Sequence, residues 1–268
     1  MAQQGEMLAA QEKDKMDNRR LWQVTAAALL CTAMVGFAEE AESVSVGVTT
    51  DLLSKYIWRG QNVVDDWVLQ PSVSVGYKGL TASVWANLDL MGDWVDDGEI
   101  SEVDYTLDYS NTFGGQDVLG YSVGMIYYDF PNTPWEATTE VYGGLTAALP
   151  LSPTIRAYQD LDEIEGTYIQ LSLGHAIEKV AQWRDDCYCG VQAGASIAYG
   201  TSGYNDGYFG VDDAALNDLT LSVSLPVCVG RWTIKPILAY SAMIDDDIRA
   251  ATAKSDNLWG GVGAAYQF

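Results

Sequence analysis

Positive charge is scarce in this 268-residue chain: 14 Lys and Arg stand against 37 Asp and Glu, a formal charge of -23. Phosphate backbones require the opposite sign, so nucleic acid is excluded as a partner. Histidine is scarcer still, with His175 alone. Hydrolases and acyltransferases built on a His beside a Ser or Asp would all depend on that residue. Beyond residue 38 no segment approaches the roughly 20 continuous apolar residues of a membrane-crossing helix. Acidic, polar chains are often disordered, but 16 Tyr, 9 Trp and 26 Gly do not fit that composition. They fit a Gly- and aromatic-rich β protein. The mean hydropathy of -0.02 suits a transmembrane barrel, in which only every second residue meets lipid.

The N-terminus carries an export pattern. Asp17-Asn18-Arg19-Arg20 is a basic region, Leu21 to Phe37 an apolar one, and Gly36 and Ala38 are small residues ahead of Glu39-Glu40. Residues 1–38 therefore read as a signal peptide cut after Ala38, with residues 39–268 as one mature domain. Residues 1–15 are polar and superfluous to such a signal, which makes Met16 a candidate start. Cys31 follows Leu30, a poor fit to lipoprotein cleavage. An uncleaved anchor is the alternative.

After Glu42 the alternation of a half-apolar strand begins and scarcely stops. Ser101 to Ser110 sets Val103, Tyr105, Leu107 and Tyr109 against Glu102, Asp104, Thr106 and Asp108. Similar stretches fall at 43–50, 68–77, 80–90, 118–129, 137–149, 153–160, 167–174, 188–199, 218–226, 231–242 and 257–268. That makes about twelve strands, each near the 9–11 residues of a tilted strand crossing a bilayer. The last strand ends on Phe268 itself. An apolar, aromatic-ended terminal strand has a use in a closed barrel, where it pairs with the first strand and abolishes the edge. The expected fold is all-β: a closed antiparallel transmembrane barrel of about twelve strands.

The connections alternate in kind. Lys78-Gly79, Gly114-Gly115-Gln116, Pro150 to Pro153 and Cys228 to Gly230 are short. The others are longer and acidic, holding Asp65-Asp66, Asp93 to Glu99, Asp160 to Glu165, Asp212-Asp213 and Asp245 to Asp247. Short periplasmic turns and long external loops are the rule for such barrels. The segment Ala176 to Asp186 is long for the periplasmic side and is expected to hold a short helical turn. Tyr56, Trp58, Trp67, Trp94, Phe130 and Trp135 are expected in an outer aromatic girdle, and Phe113, Tyr121, Trp232 and Phe268 in an inner one.

Two stretches carry a resemblance. The ending Gly263-x-x-Tyr266-x-Phe268 resembles the C-terminal insertion signal of Gram-negative outer-membrane proteins. The stretch Leu53-Ser54-Lys55-Tyr56-Ile57-Trp58-Arg59-Gly60, followed by Gln70-Pro71 and Gly79-Leu80-x-Ala82-x-Val84-Trp85, resembles a Gram-negative outer-membrane family whose first hairpin has a Tyr-Val-Phe-Arg-Gly-like element. The second resemblance, over the first hairpin from Val44 to Leu90, covers about a fifth of the chain. It implies a porin-like barrel in the cell outer membrane and names no solute. Near the turn, Gly60 permits positive φ and Arg59 is placed to pair with Asp65 or Asp66.

With the apolar parity toward lipid, the lumen is lined by Trp85, Asn87, Asp89, Glu102, Asp104, Asp108, Glu140, Tyr142, Arg156, Tyr158, Tyr168, Gln170 and Lys235. Acids and bases on different strands would set a field across a pore, and the excess acid would favour cations. The expected role is passive diffusion of small hydrophilic, cationic or neutral solutes. Rings at Trp85, Tyr142, Tyr158 and Tyr168 form a track that would suit sugars. The competing reading is a plugged, non-conducting surface or structural protein whose acidic loops bind divalent cations or partners. An enzyme is not expected, because His175 lies at the periplasmic end of its strand, and lumen polarity accounts for the pair Glu102 and Asp104. Asp93, Asp97 and Asp104 are a weak calcium candidate, broken by Val95 at a ligand position; no cofactor is expected beyond loosely bound divalent cations. Cys228 is expected to bridge to Cys187 or Cys189 at the periplasmic rim. Expected partners are membrane lipid, lipopolysaccharide and the barrel-assembly machinery.

Overall fold

A computed structural model describes residues 44–113 and 118–268. The expected signal peptide, the Met16 start, Cys31 and the turn at Gly114 to Gln116 lie outside the described residues. In chain order the elements are β1 (Ser45–Leu53), β2 (Tyr56–Trp58), β3 (Gln61–Val64), β4 (Val68–Tyr77), β5 (Leu80–Asp89), β6 (Ile100–Thr112), β7 (Leu119–Asp129), β8 (Thr138–Ala147), β9 (Thr154–Asp160), β10 (Thr167–Arg184), β11 (Cys187–Gly200), α1 (Ser202–Phe209), β12 (Ala215–Ser224), β13 (Val227–Val229), β14 (Trp232–Met243), α2 (Asp246–Ala251) and β15 (Asp256–Gln267).

All of these strands except β2 and β3 pair antiparallel with their neighbours in one sheet that closes on itself. β10 pairs β11, and β15 pairs β1 with Val48 opposite Tyr266 and Asp51 opposite Gly263. The N–H of Phe268 donates to the carbonyl of Val46 at 3.2 Å, so the last residue is part of the seam. β13 continues β12 past Pro226, and the wall is a closed antiparallel barrel of twelve strands. Closure satisfies every ladder without an edge, the condition for β-structure in lipid.

The alternation of side chains decides which face is which. Leu107, Met125, Leu171, Leu221 and Val262 point outward and are exposed, while Gln70, Asn87, Glu140, Ser172, Thr220 and Ser241 point inward and are buried. An apolar exterior around a polar interior is the inverse of a soluble barrel and is stable only in lipid. The protein is therefore an outer-membrane β-barrel. The inner girdle is ordered as ring contacts: Phe113 to Tyr121 at 4.7 Å, Trp232 to Tyr266 at 4.8 Å and Tyr266 to Phe268 at 4.8 Å.

Two expectations fail here. Residues 176–184 form no helical turn; they extend β10, which pairs Ala176 with Gln192, Ile177 with Val191 and Ala181 with Cys189. A register shift between Ile177 and Ala181 breaks the alternation, which is why a strand was not legible there. The outer girdle is also incomplete. Trp67 and Trp135 are exposed, but Tyr56 is buried and Trp58 packs inside, because the segment between β1 and β4 turns into the barrel.

Candidate functional site in the barrel lumen

β2 and β3 form a two-stranded sheet of their own, outside the hydrogen-bond ladder of the wall. Arg59 and Gly60 join them with φ values of 48° and 79°. Two successive positive φ angles make the type I′ turn whose twist matches a hairpin. Gly60 is needed twice over: a Cβ there would lie 2.5 Å from Asp218 Cβ and 2.8 Å from Met243 Sδ, on the wall. Behind the tip, Tyr56 and Val64 share a buried cluster with Leu53, Val68, Ala239 and Trp259. Lys55 and Lys254 both pair with Asp65, and Asn62 donates to Asn257 at 3.0 Å. Side chains alone thus fasten most of the hairpin in place.

Its tip delivers Arg59 to Glu140 on β8. The two Nη atoms donate to Oε1 and Oε2 at 2.8 and 2.6 Å, a fork-to-fork pair with side chains only 3% and 2% exposed. The Tyr128 hydroxyl donates to the same carboxylate at 2.8 Å. The guanidinium carbon sits 4.4 Å from the Trp58 ring centroid, 4.6 Å from Tyr158, 4.5 Å from Tyr168 and 5.9 Å from Tyr204. Burial opposes the charge on Arg59, but the Glu140 carboxylate outweighs it and holds the pKa above its ordinary value. Tyr168 in turn donates to Asp218 at 2.8 Å. α1 brings Tyr204 and Tyr208 over the same place, which requires Gly166 because a side chain there would strike the Tyr204 backbone. Burial pushes the Tyr204 hydroxyl pKa well up, so it stays protonated.

These rings belong to a longer succession. Tyr142, Tyr158, Tyr168, Tyr204, Tyr208, Trp58 and Tyr128 follow one another at centroid spacings of 5.5, 6.2, 5.2, 4.6, 5.2 and 6.4 Å. The Tyr142, Tyr158 and Tyr168 rings of the expected track thus adjoin one another. Trp85 is elsewhere, against Tyr56 at 5.5 Å.

Toward the short-turn end of the barrel the lumen is built differently. An inward glycine on a middle strand leaves room for polar side chains of both flanking strands to meet. Gly124 stands opposite Asp108 and Tyr142, and the Tyr142 hydroxyl donates to Asp108 at 2.6 Å across it. Gly144 stands opposite Ser122 and Arg156, and Arg156 donates to Ser122 Oγ at 3.2 Å. Gly263 stands opposite Asp51 and Lys235, an acid and a base on either side of the seam strand.

The remaining expected residues divide. Asn87 accepts from Gln70 at 2.9 Å and donates to Ser101 at 2.8 Å, wholly buried. Glu102 and Gln170 are buried and Asp104 half-buried on the inward parity. Asp89 does other work: its two oxygens accept the N–H groups of Met91, Gly92, Trp94 and Val95 and hold the β5–β6 loop. Asp93 of the calcium candidate accepts the Asp65 N–H at 2.7 Å, while Asp104 lies on β6. Among the described residues no group of three or more His, Cys, Asp or Glu is arranged to hold a metal ion. Arg59 pairs with Glu140 in place of Asp65 or Asp66. The cysteine bridge is not formed; Cys187, Cys189 and Cys228 are free thiols. Cys228 stands opposite Tyr188, so its side chain shares that face, whereas Cys187 and Cys189 project from the other. His175, expected at the end of its strand, lies instead near the middle of β10 opposite Ala193, because β10 runs on to Arg184, and it is exposed. Asp51, Tyr128, Tyr204, Tyr208 and Asp218 were missed. Inward parity marks Asp51, Tyr128 and Asp218, but nothing in the sequence shows that α1 folds over the lumen.

No protein-family model matches the chain, and no curated protein matches it. Among solved structures it is similar to Pseudomonas putida OprB, with 10% identity, 75% of this chain and 59% of that one covered, and a TM-score of 0.35. It is similar to the translocator domain of autotransporter NalP from Neisseria meningitidis, with 12% identity, 97% and 98% covered, and a TM-score of 0.38. It is also similar to OmpT, an outer membrane protein of Vibrio cholerae, with 10% identity, 84% and 98% covered, and a TM-score of 0.36.

Proposed function

We propose that the protein is a porin-like outer-membrane channel for small hydrophilic solutes, closed at rest in its outer half by the first hairpin. One observation carries this reading. The hairpin stands outside the wall's hydrogen-bond ladder and lies within the polar lumen, where its Arg59 meets Glu140 of the wall. A lumen filled by wall side chains opens only by repacking the barrel; one filled by a side-chain-fastened hairpin opens when that hairpin moves. The hairpin is the same Tyr56 to Gly60 element that resembles the first hairpin of a Gram-negative outer-membrane family.

The inward acids Asp51, Glu102, Asp104, Asp108, Glu140, Asp160 and Asp218 outnumber the bases Arg156 and Lys235 of the wall, which favours cations over anions in the opened form. During insertion the terminal Gly263, Tyr266 and Phe268 are offered to the assembly machinery. Loosely held divalent cations would bridge the acidic outer loops to lipopolysaccharide phosphates. This reading assigns no enzymatic step.

The complete burial of the Arg59–Glu140 pair favours a second reading, a permanently plugged barrel that serves as a surface protein. The deciding experiment is planar-bilayer conductance of the refolded protein beside a variant in which residues 55–66 are replaced by a short Gly-Ser linker. The channel reading expects rare steps from the parent and steady, cation-selective steps from the variant. A parent that never conducts beside a variant that does would leave the plugged barrel standing, and a folded variant that never conducts would overturn the channel reading by showing that the wall itself fills the lumen.

A further inference from the structure

Arg59 occupies its place in the lumen as a bound ligand would. A carboxylate on the wall grips both Nη atoms, a tyrosine hydroxyl steadies that carboxylate, and rings surround the guanidinium within 4.4 to 5.9 Å. Only Arg59 and Trp58 belong to the hairpin. Glu140, Tyr128, Tyr158 and Tyr168 are on barrel strands, and Tyr204 is on α1. When the hairpin withdraws, the wall keeps a buried carboxylate backed by aromatic faces, which is the chemistry that recognises a planar, bidentate cation. The turn supports the same view. Its first position holds Arg at φ 48°, where Asn, Asp or Gly would be unstrained, so the residue is there for its side chain.

We propose that Glu140, Tyr128, Tyr158, Tyr168 and Tyr204 form a binding site for small guanidino compounds, and that Arg59 is its tethered occupant. A tethered group competes at an effective concentration on the order of millimolar. A free solute displaces it in that range, and in doing so releases the hairpin. The fork geometry selects guanidinium over ammonium, because a point charge cannot span both carboxylate oxygens in one plane. That such compounds also pass through the barrel rests on the channel reading; that they bind does not.

The test is titration calorimetry of refolded Arg59→Ala with methylguanidinium, methylammonium and tetramethylammonium. Methylguanidinium is expected to bind at least tenfold more tightly than either ammonium, to raise the variant's thermal midpoint, and to lose at least tenfold in affinity when Glu140→Gln is added. Should Arg59→Ala fail to refold, the 55–66 replacement barrel presents the same wall without the occupant and is titrated in its place. Equal binding of all three cations, affinity that survives Glu140→Gln, or no binding to either variant would overturn the site. Binding without conduction would overturn the channel reading alone.

Discussion

At the scale of single residues, the closing hairpin depends on backbone geometry as much as on charge. Gly60 combines positive φ with a wall contact that admits no Cβ. Gly60→Ala therefore adds strain of about 1–3 kcal/mol to the seated hairpin while leaving the barrel ladder untouched. The expected result is faster proteolysis between β1 and β4 and a higher open probability, with no change in the barrel's own melting. Asp89 illustrates the opposite case, a carboxylate spent wholly on structure. Asp89→Ala deprives the N–H groups of Met91, Gly92, Trp94 and Val95 of their acceptor. The loss is on the order of 2 kcal/mol locally, less than the sum of charged hydrogen bonds because water reaches the freed groups. Amide exchange at Gly92 and Trp94 should accelerate at least tenfold, and conductance should not respond.

At the scale of elements, strand register sets which side chains meet. The bridge expected from Cys228 fails for this reason. Its partner across the ladder is Tyr188, and sequence spacing cannot reveal a register one residue off. Alkylation of the folded protein without reductant should add three labels to Cys187, Cys189 and Cys228, and prior reduction should add no more at those positions. Register also gives Gly263 a role beyond a terminal signal. A Cβ at Gly263 would fall on Asp51 Oδ1. Gly263→Ala should lower the folded fraction on a heat-modifiability gel, and Asp51→Gly should restore it. A glycine needed only for recognition during assembly would not be rescued by a change on another strand.

At the scale of the whole molecule, the barrel and its closure are separate structures joined by a short run of chain. On the proposed channel reading, conduction is a property of the hairpin's position, and selectivity a property of the wall. In the 55–66 replacement variant, Asp104→Asn with Asp108→Asn should move the reversal potential under a salt gradient toward zero without abolishing the steps. A shift of equal size from neutralising Asp212 and Asp213, which lie on the α1–β12 connection, would place selectivity in the loops.

How much of this could be read from the residues follows from the range of the forces involved. Period-two alternation is local, because successive side chains of a strand face opposite ways. Strand positions, the inward set and the pairing of the last strand with the first were therefore legible before any coordinate. Where a bulge interrupted the period, after Ile177, legibility stopped. Neither the inward turn of the first hairpin nor the fold of α1 over the lumen has a local signature, since a polar loop rich in aromatics serves equally well at the membrane surface. Arg59 and Glu140 are 81 residues apart in the chain, and only the closed wall brings them within hydrogen-bond reach. The sequence by itself determined the barrel and its lipid-facing side; the tertiary structure alone decided that the first hairpin turns into the lumen and that Arg59 meets Glu140 there, because that meeting depends on contacts between distant segments that no local pattern encodes.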